Sequence, residues 1–130
     1  MEKTHNGDPV VVEGLRKSFG KQKVLNGVSF SVARGEILSV LGRSGTGKSV
    51  LLRLIIGLEK PDEGSIRVNG LEVTTLGDAK LNEVRKGMGF LFQQAALYDS
   101  LSLEANVEFP LQRHLRQGEA DPRKLSLIHI

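Results

Sequence analysis

Residues 42–49 read Gly-Arg-Ser-Gly-Thr-Gly-Lys-Ser, and this stretch decides the fold that we expect. The apolar run Ile37–Leu41 precedes it without polar alternation, which is typical of a short strand covered on both faces, as in a parallel sheet. The segment Val50–Ile56 follows it and is too apolar all round for a surface helix, so we expect a buried helix. The stretch therefore lies in a predicted strand–loop–helix unit.

The stretch matches the phosphate-binding pattern G-x-x-x-x-G-K-[ST] in full. Its glycines let the backbone wrap a β-phosphate, and the turned N–H groups and the following helix N-terminus together favour an anion. Lys48 would reach the β- and γ-phosphates, and the Ser49 hydroxyl is a hard oxygen ligand for magnesium. A glycine-rich turn that binds nothing is the alternative, but it is rare in this context. The predicted binding residues are Gly42, Arg43, Ser44, Gly45, Thr46, Gly47, Lys48 and Ser49.

This motif predicts a nucleotide-binding loop without saying which class of protein carries it. Arg43 lies inside the loop, where a phosphate contact and a solvated side chain are equally good interpretations. The three histidines, His5, His114 and His129, are not spaced as a metal set, so we interpret them as surface residues.

The composition is that of one ordinary domain. The chain has 130 residues, 39% of them hydrophobic and 25% charged, and no apolar run approaches the roughly 20 residues that span a bilayer. The absence of cysteine excludes disulfides and thiolate metal sites and suits a cytoplasmic location. The net charge is only +3, with basic and acidic residues interspersed, so we expect no nucleic-acid partner.

Two Asn-Gly pairs lie between runs of alternating apolar residues, and each predicts a β-hairpin. They are Asn26-Gly27 and Asn69-Gly70, so the chain should carry an antiparallel β element. The other predicted elements are a first strand at Val10–Val12 and Leu15, a polar helix at Asp78–Lys86, a short apolar strand at Met88–Phe92, and a helix capped by Ser102 that runs to about Gln117.

Four stretches resemble the ATP-binding subunits of ABC transporters, over about Val10 to Arg116. They are Val24–Phe30 ahead of Gly35-Glu36; Leu51–Arg53 and Gly57-Leu58 with Pro61–Ile66; Gly89–Gln93 with Ala96–Tyr98; and Asn106-Val107 with Pro110-Leu111. The resemblance implies an α/β fold, with a P-loop NTPase core of the ABC type and an antiparallel β subdomain. It also implies that the chain stops at the start of the helical subdomain.

The resemblance assigns roles to further residues. Phe19 falls where the family has an aromatic ring that stacks on adenine, and the alternative is a hydrophobic plug under the β element. Gln93 corresponds to the glutamine of the family's Q-loop, which can reach magnesium or position water, and Gln94 is its rival. The implied catalytic residues are Lys48 and Gln93, and the implied magnesium ligands are Ser49 and Gln93.

The family implies ATP and Mg²⁺ as cofactors and, in an intact parent, ATP hydrolysis coupled to transport. Its partners are transmembrane permease subunits and a second ATP-binding subunit in a homodimer, and it works peripherally at the cytoplasmic face of the inner membrane. Finer similarities resemble the Mla-like, Mce-associated phospholipid systems. They are Arg43, Val50 after the loop serine, Val84–Met88 into Phe90–Gln93, and Asn106–Leu111. The alternatives are an importer for amino acids or metal chelates, a soluble ABC ATPase acting on DNA or ribosomes, and a small-molecule kinase with a P-loop.

Several parts of the family's machinery are missing from these residues. The sequence contains no Leu-Ser-Gly-Gly-Gln signature, no apolar strand ending in Asp-Glu and no switch histidine after such a strand. We therefore expect no ATPase activity from the 130 residues alone. We interpret residues 1–124 as the N-terminal part of an ABC nucleotide-binding domain. Residues 125–130, Leu-Ser-Leu-Ile-His-Ile, read as a translated sequencing adapter.

Overall fold

The computed structural model describes residues 7–92 and 97–114, in two units divided between Met88 and Gly89. The first unit has a four-stranded sheet and two helices, and the second has one helix. The elements are β1 (Val10–Phe19), β2 (Gln22–Val32), α1 (Lys48–Ile55), β3 (Glu63–Val68), β4 (Leu71–Glu72), a 3-10 turn (Val73–Thr75), α2 (Asp78–Lys86) and, in the second unit, α3 (Leu103–His114).

The sheet is antiparallel throughout, with strand order β2-β1-β3-β4. The central strand β1 pairs Val10 with Val32 of β2 on one side and with Val68 of β3 on the other. Strands β3 and β4 are joined by Asn69 and Gly70, whose φ angles of 48° and 80° are both positive. A two-residue hairpin turn of the kind favoured by Asn-Gly needs these angles, so the second predicted hairpin is confirmed.

The first predicted hairpin, at Asn26-Gly27, is wrong. Strand β2 continues through these residues without a chain reversal. The turn between β1 and β2 lies at Gly20-Lys21, between the paired residues Phe19 and Gln22. Gly27, with φ 79°, is instead the extra residue of a β-bulge, because Arg16 pairs with Asn26 and Leu15 already pairs with Val28. A glycine with positive φ suits a bulge as well as a turn, so the local sequence alone did not distinguish them.

The core lies between the sheet and the two helices of the first unit. Val12, Leu15 and Ile66 of the sheet have no exposed surface. The cluster that packs with them comprises Leu25, Leu51, Leu54, Val68, Val73, Leu81 and Val84. In α1 only one side is buried, since Leu52 and Arg53 are exposed, so the expectation of a helix buried all round is wrong. Leu51 and Leu54 are three residues apart and therefore share the face turned to the sheet.

Helix α2 has the predicted bounds, and Arg85 ties it to the end of α1. The guanidinium donates from Nε to the Ile56 carbonyl at 2.9 Å and from Nη2 to the Gly57 carbonyl at 2.8 Å. The last carbonyls of a helix have no intrahelical partner, and a half-buried cation satisfies them well. Arg85 thereby fixes the C-terminal end of α1 to α2.

The two predicted apolar strands outside the hairpins are wrong, because neither segment pairs with any strand in the described part of the chain. Ile37 and Leu41 are 92% and 91% exposed, and Leu91 is 86% exposed. A strand is stabilised by hydrogen bonds to a neighbouring strand. An apolar run indicates only that a segment is suited to burial, so it does not by itself predict that a partner strand is present.

The second unit is organised around Asn106 of α3. Its side-chain oxygen accepts from the Tyr98 N–H at 2.7 Å, and its amide nitrogen donates to the carbonyls of Tyr98, Leu101 and Ser102. The Ser102 hydroxyl accepts from the Ala105 N–H at 3.2 Å, which confirms the predicted cap. None of the helices in the described ranges combines the length and apolar character needed to cross a bilayer.

Candidate functional site

The predicted phosphate loop runs directly into α1. Lys48 is the first residue of that helix and Ser49 the second, and the first helical hydrogen bond runs from the Leu51 N–H to the Gly47 carbonyl at 2.9 Å. The N–H groups of the first turn have no acceptor within the helix, and no acidic residue in that turn offsets their positive field. The helix therefore presents donors and partial positive charge at the end of the loop.

Gly47 fixes the loop against the sheet. It is buried, has φ 96°, and a Cβ built on it would lie 2.6 Å from Val24 Cγ1 and 3.2 Å from Leu25 Cδ2. Only glycine adopts such a backbone conformation without strain, and only glycine fits this close to β2. The end of the loop is thus held in place by the edge strand of the sheet.

The Lys48 side chain folds back across the loop. Its ammonium donates to the carbonyls of Gly42 at 2.6 Å and Arg43 at 2.7 Å, and the Thr46 hydroxyl donates to the Arg43 carbonyl at 2.8 Å. An ammonium has three donors, so two are used here within the loop itself. Lys48 therefore already holds its charge at the loop, where phosphate oxygens could replace the carbonyls as its acceptors.

The remaining loop side chains are exposed. Arg43 contributes its carbonyl to the loop, and its guanidinium lies at the exposed surface; Ser44 and Gly45 form the turn at the tip. The Ser49 hydroxyl lies one residue beyond Lys48, also exposed.

The Ser49 hydroxyl could hold magnesium only together with phosphate oxygens of a bound ligand. Among the described residues, no group of three or more histidine, cysteine, aspartate or glutamate side chains could hold a metal ion. Mg²⁺ is usually bound by one or two protein oxygens, water and the phosphates of its substrate, rather than by an all-protein cage. Ser49 fits that role, whereas Gln93 and Gln94 lie outside the described residues.

Phe19 lies at the same end of the sheet as the loop. It pairs with Gln22, two residues before the Val24 that Gly47 approaches, and two residues of strand span about 7 Å. The side chain is 47% exposed, which leaves part of the ring accessible to a ligand. An accessible aromatic ring thus lies on the same hairpin, β1–β2, as the Val24 side chain that Gly47 approaches.

One contact of Phe19 was not anticipated from the sequence. The Lys17 ammonium lies 5.2 Å from the centre of the Phe19 ring and also forms a salt bridge with Asp62 at 3.5 Å. The spacing of Lys17 and Phe19 could have indicated the first contact, since residues two apart on a strand share a face. Nothing local could have indicated Asp62.

Known proteins share the sequence of this chain over most of its length. The sequence model of the ABC transporter family matches residues 25–129. The methionine import ATP-binding protein of Brucella abortus (strain 2308) is 47% identical over 105 residues, which are 80% of this chain and 28% of that protein. The probable ribonucleotide transport ATP-binding protein of Mycobacterium leprae (strain TN) is 40% identical over 129 residues, 95% of this chain and 37% of that protein.

The fold is also similar to a solved structure. The ATP-binding cassette MJ0796, described as a dimeric post-hydrolysis state bound to ADP and Pi, superposes with a TM-score of 0.81 at 32% identity. The match covers 92% of this chain and 54% of that one. The chain thus spans about half the length of this cassette and a smaller share of the two curated relatives.

Proposed function

This chain belongs to the family of ABC transporter ATP-binding domains and has its α/β fold, and from that premise we propose that residues Gly42–Ser49 bind ATP together with Mg²⁺. The observation that carries the proposal is the loop itself: Gly47 fixed against β2, an open helix N-terminus, and the Lys48 ammonium held across the loop. These features together favour a polyphosphate anion.

Each residue has a distinct task in this proposal. The loop N–H groups surround the β-phosphate, and Lys48 exchanges the carbonyls of Gly42 and Arg43 for phosphate oxygens. The Ser49 hydroxyl would hold Mg²⁺, which would neutralise negative charge on the phosphates. Phe19 stacks on the adenine ring, and such stacking tolerates any base because every base has a π-face.

The activity of the whole protein follows from the family and is part of the proposal. ATP hydrolysis drives transport through permease subunits at the cytoplasmic face of the membrane, with Gln93 positioning water or magnesium. A second ATP-binding subunit completes the assembly, and the dimeric state described for MJ0796 supports this arrangement. The missing signature and carboxylates support the proposal that these 130 residues alone do not turn over ATP.

The cargo we propose is phospholipid. Its support is the similarity of Arg43, Val50, Val84–Met88 and Asn106–Leu111 to the Mla-like systems. An amino acid is the second candidate, favoured by the 47% identity to a methionine import protein. ATPase measurements on the transporter in detergent micelles distinguish them: stimulation by added phospholipid supports the first, and stimulation by methionine with its binding protein supports the second.

The nucleotide site is tested by substituting Lys48. In the protein that carries this sequence, Lys48→Ala should remove most ATP binding measured by titration calorimetry, because the point charge on the β- and γ-phosphates is lost. Lys80→Ala is the matched control, since Lys80 is an exposed lysine on α2. Unchanged ATP affinity in Lys48→Ala would show that the loop assignment is wrong.

A further inference from the structure

The Phe19 ring has a cation over it and is also partly exposed to solvent. The Lys17 ammonium lies over the ring at 5.2 Å from its centre, within the distance at which the ring quadrupole attracts a cation. Phe19 is 47% exposed, whereas the Lys17 side chain is only 14% exposed. A largely buried lysine side chain therefore places its ammonium over the ring, while part of the ring stays accessible.

Lys17 is itself held in position by the segment ahead of β3. Its ammonium donates to the Lys60 carbonyl at 2.7 Å and pairs with Asp62 Oδ1 at 3.5 Å. The other oxygen of Asp62 accepts from the Ser18 N–H at 2.7 Å, and the Asp62 N–H donates to the Arg16 carbonyl at 2.9 Å. Asp62 is thus fastened to the end of β1 at two points, and the cation has little freedom to leave the ring.

We infer that Lys17 is a positioning residue for nucleotide binding: it fixes the Phe19 ring so that a base stacks on the exposed face. This inference rests on the proposed function, because it assumes that Phe19 stacks on the base. A ring held in advance loses less conformational freedom when the base arrives, which raises affinity without any new contact to the ligand.

The experiment compares a ligand that carries adenosine with one that has the polyphosphate alone. Affinities for Mg-ATP and for Mg-tripolyphosphate are measured by titration calorimetry in the protein that carries this sequence. Lys17→Met keeps most of the side-chain stem but removes the charge, and it should weaken ATP about two- to fivefold, the range of one exposed cation–π contact, while leaving tripolyphosphate unchanged. Lys17→Arg restores a cation over the ring and should recover ATP affinity.

Two controls separate positioning from general electrostatics. Lys23→Met removes the same charge from an exposed position on β2 in the same hairpin and should leave ATP affinity unchanged. In a Phe19→Ala background, Lys17→Met should have no effect on ATP, because the ring that it positions is gone.

The inference is overturned if Lys17→Met weakens ATP and tripolyphosphate equally, leaves ATP unchanged, or keeps its effect in Phe19→Ala. If the unsubstituted protein binds neither ligand, the nucleotide site fails and the inference fails with it. If tripolyphosphate binds and Lys17→Met leaves ATP unchanged, the phosphate loop stands and only the role of Lys17 is refuted.

Discussion

Substitution of Gly47 by alanine tests how the phosphate loop is held in place. Gly47 has φ 96°, and its absent Cβ would lie 2.6 Å from Val24 Cγ1 and 3.2 Å from the Val24 carbonyl oxygen. Alanine must therefore either strain the backbone and displace Val24 or move the loop away from β2. Both responses lower the free energy of unfolding in the absence of any ligand.

The expected magnitude has two parts. A residue with a Cβ in the left-handed region costs about 1–2 kcal/mol. Forcing an extra carbon into a filled site costs typically about 1–3 kcal/mol. Gly47→Ala should thus destabilise the protein by about 2–5 kcal/mol, measured as the shift in free energy of unfolding by urea.

Gly45 provides the matched control within the same loop. Its φ is 79°, but nothing lies within 4 Å of a Cβ built on it, so Gly45→Ala should cost only the backbone part, about 1–2 kcal/mol. The gain from a stiffer unfolded chain is the same for both substitutions and cancels in the comparison. If Gly47→Ala proves no more destabilising than Gly45→Ala, the loop does not pack on β2 as described.

Two further predictions concern the ligand. Phe19→Ala should weaken ATP and GTP alike by about 1–3 kcal/mol in titration calorimetry, since stacking carries little base selectivity; equal ATP binding before and after the change would leave the ring with a packing role only. Residues 1–130 alone should release no phosphate from ATP above background, because the signature and the carboxylates that position water are absent from them; steady release that Lys48→Ala abolishes would refute this.

Elements set by local chemistry were predicted well from the sequence. Asp78–Lys86 combines a polar helical pattern with a glycine on each side, and it is α2 within its predicted bounds. Asn69-Gly70 is a tight turn, and Ser102 is a cap. Asn26-Gly27 shows the limit, because the same dipeptide serves in a bulge when a competing turn, here Gly20-Lys21, already reverses the chain.

The candidate site likewise has one part that could be predicted from the sequence and one part that could not. The phosphate loop is one contiguous stretch, so its residues and spacing could be identified from the sequence before any contact was known. The contact of Lys17 with Asp62 joins residues from different parts of the chain, brought together because Asp62 immediately precedes β3 and β3 pairs with β1. The strand predicted at Ile37–Leu41 is absent, and Ile37 and Leu41 are exposed. An apolar run predicts a segment suited to burial, but a buried strand also needs a partner strand, which the local sequence does not specify.

The sheet order has a consequence for the sequence of folding events. Strands β1 and β2 are joined by two residues, so they can pair early at small entropic cost, whereas pairing β1 with β3 must close the whole segment from Lys17 to Asp62. The phosphate loop and α1 lie inside that closed segment. The entropic cost of closing this segment rises only with the logarithm of its length, so added residues would cost little. Loss of the Arg16–Glu63 pair, by contrast, would loosen the closure that holds the whole segment. We therefore expect the loop to be among the later parts of the unit to acquire its native geometry, after β3 has paired with β1.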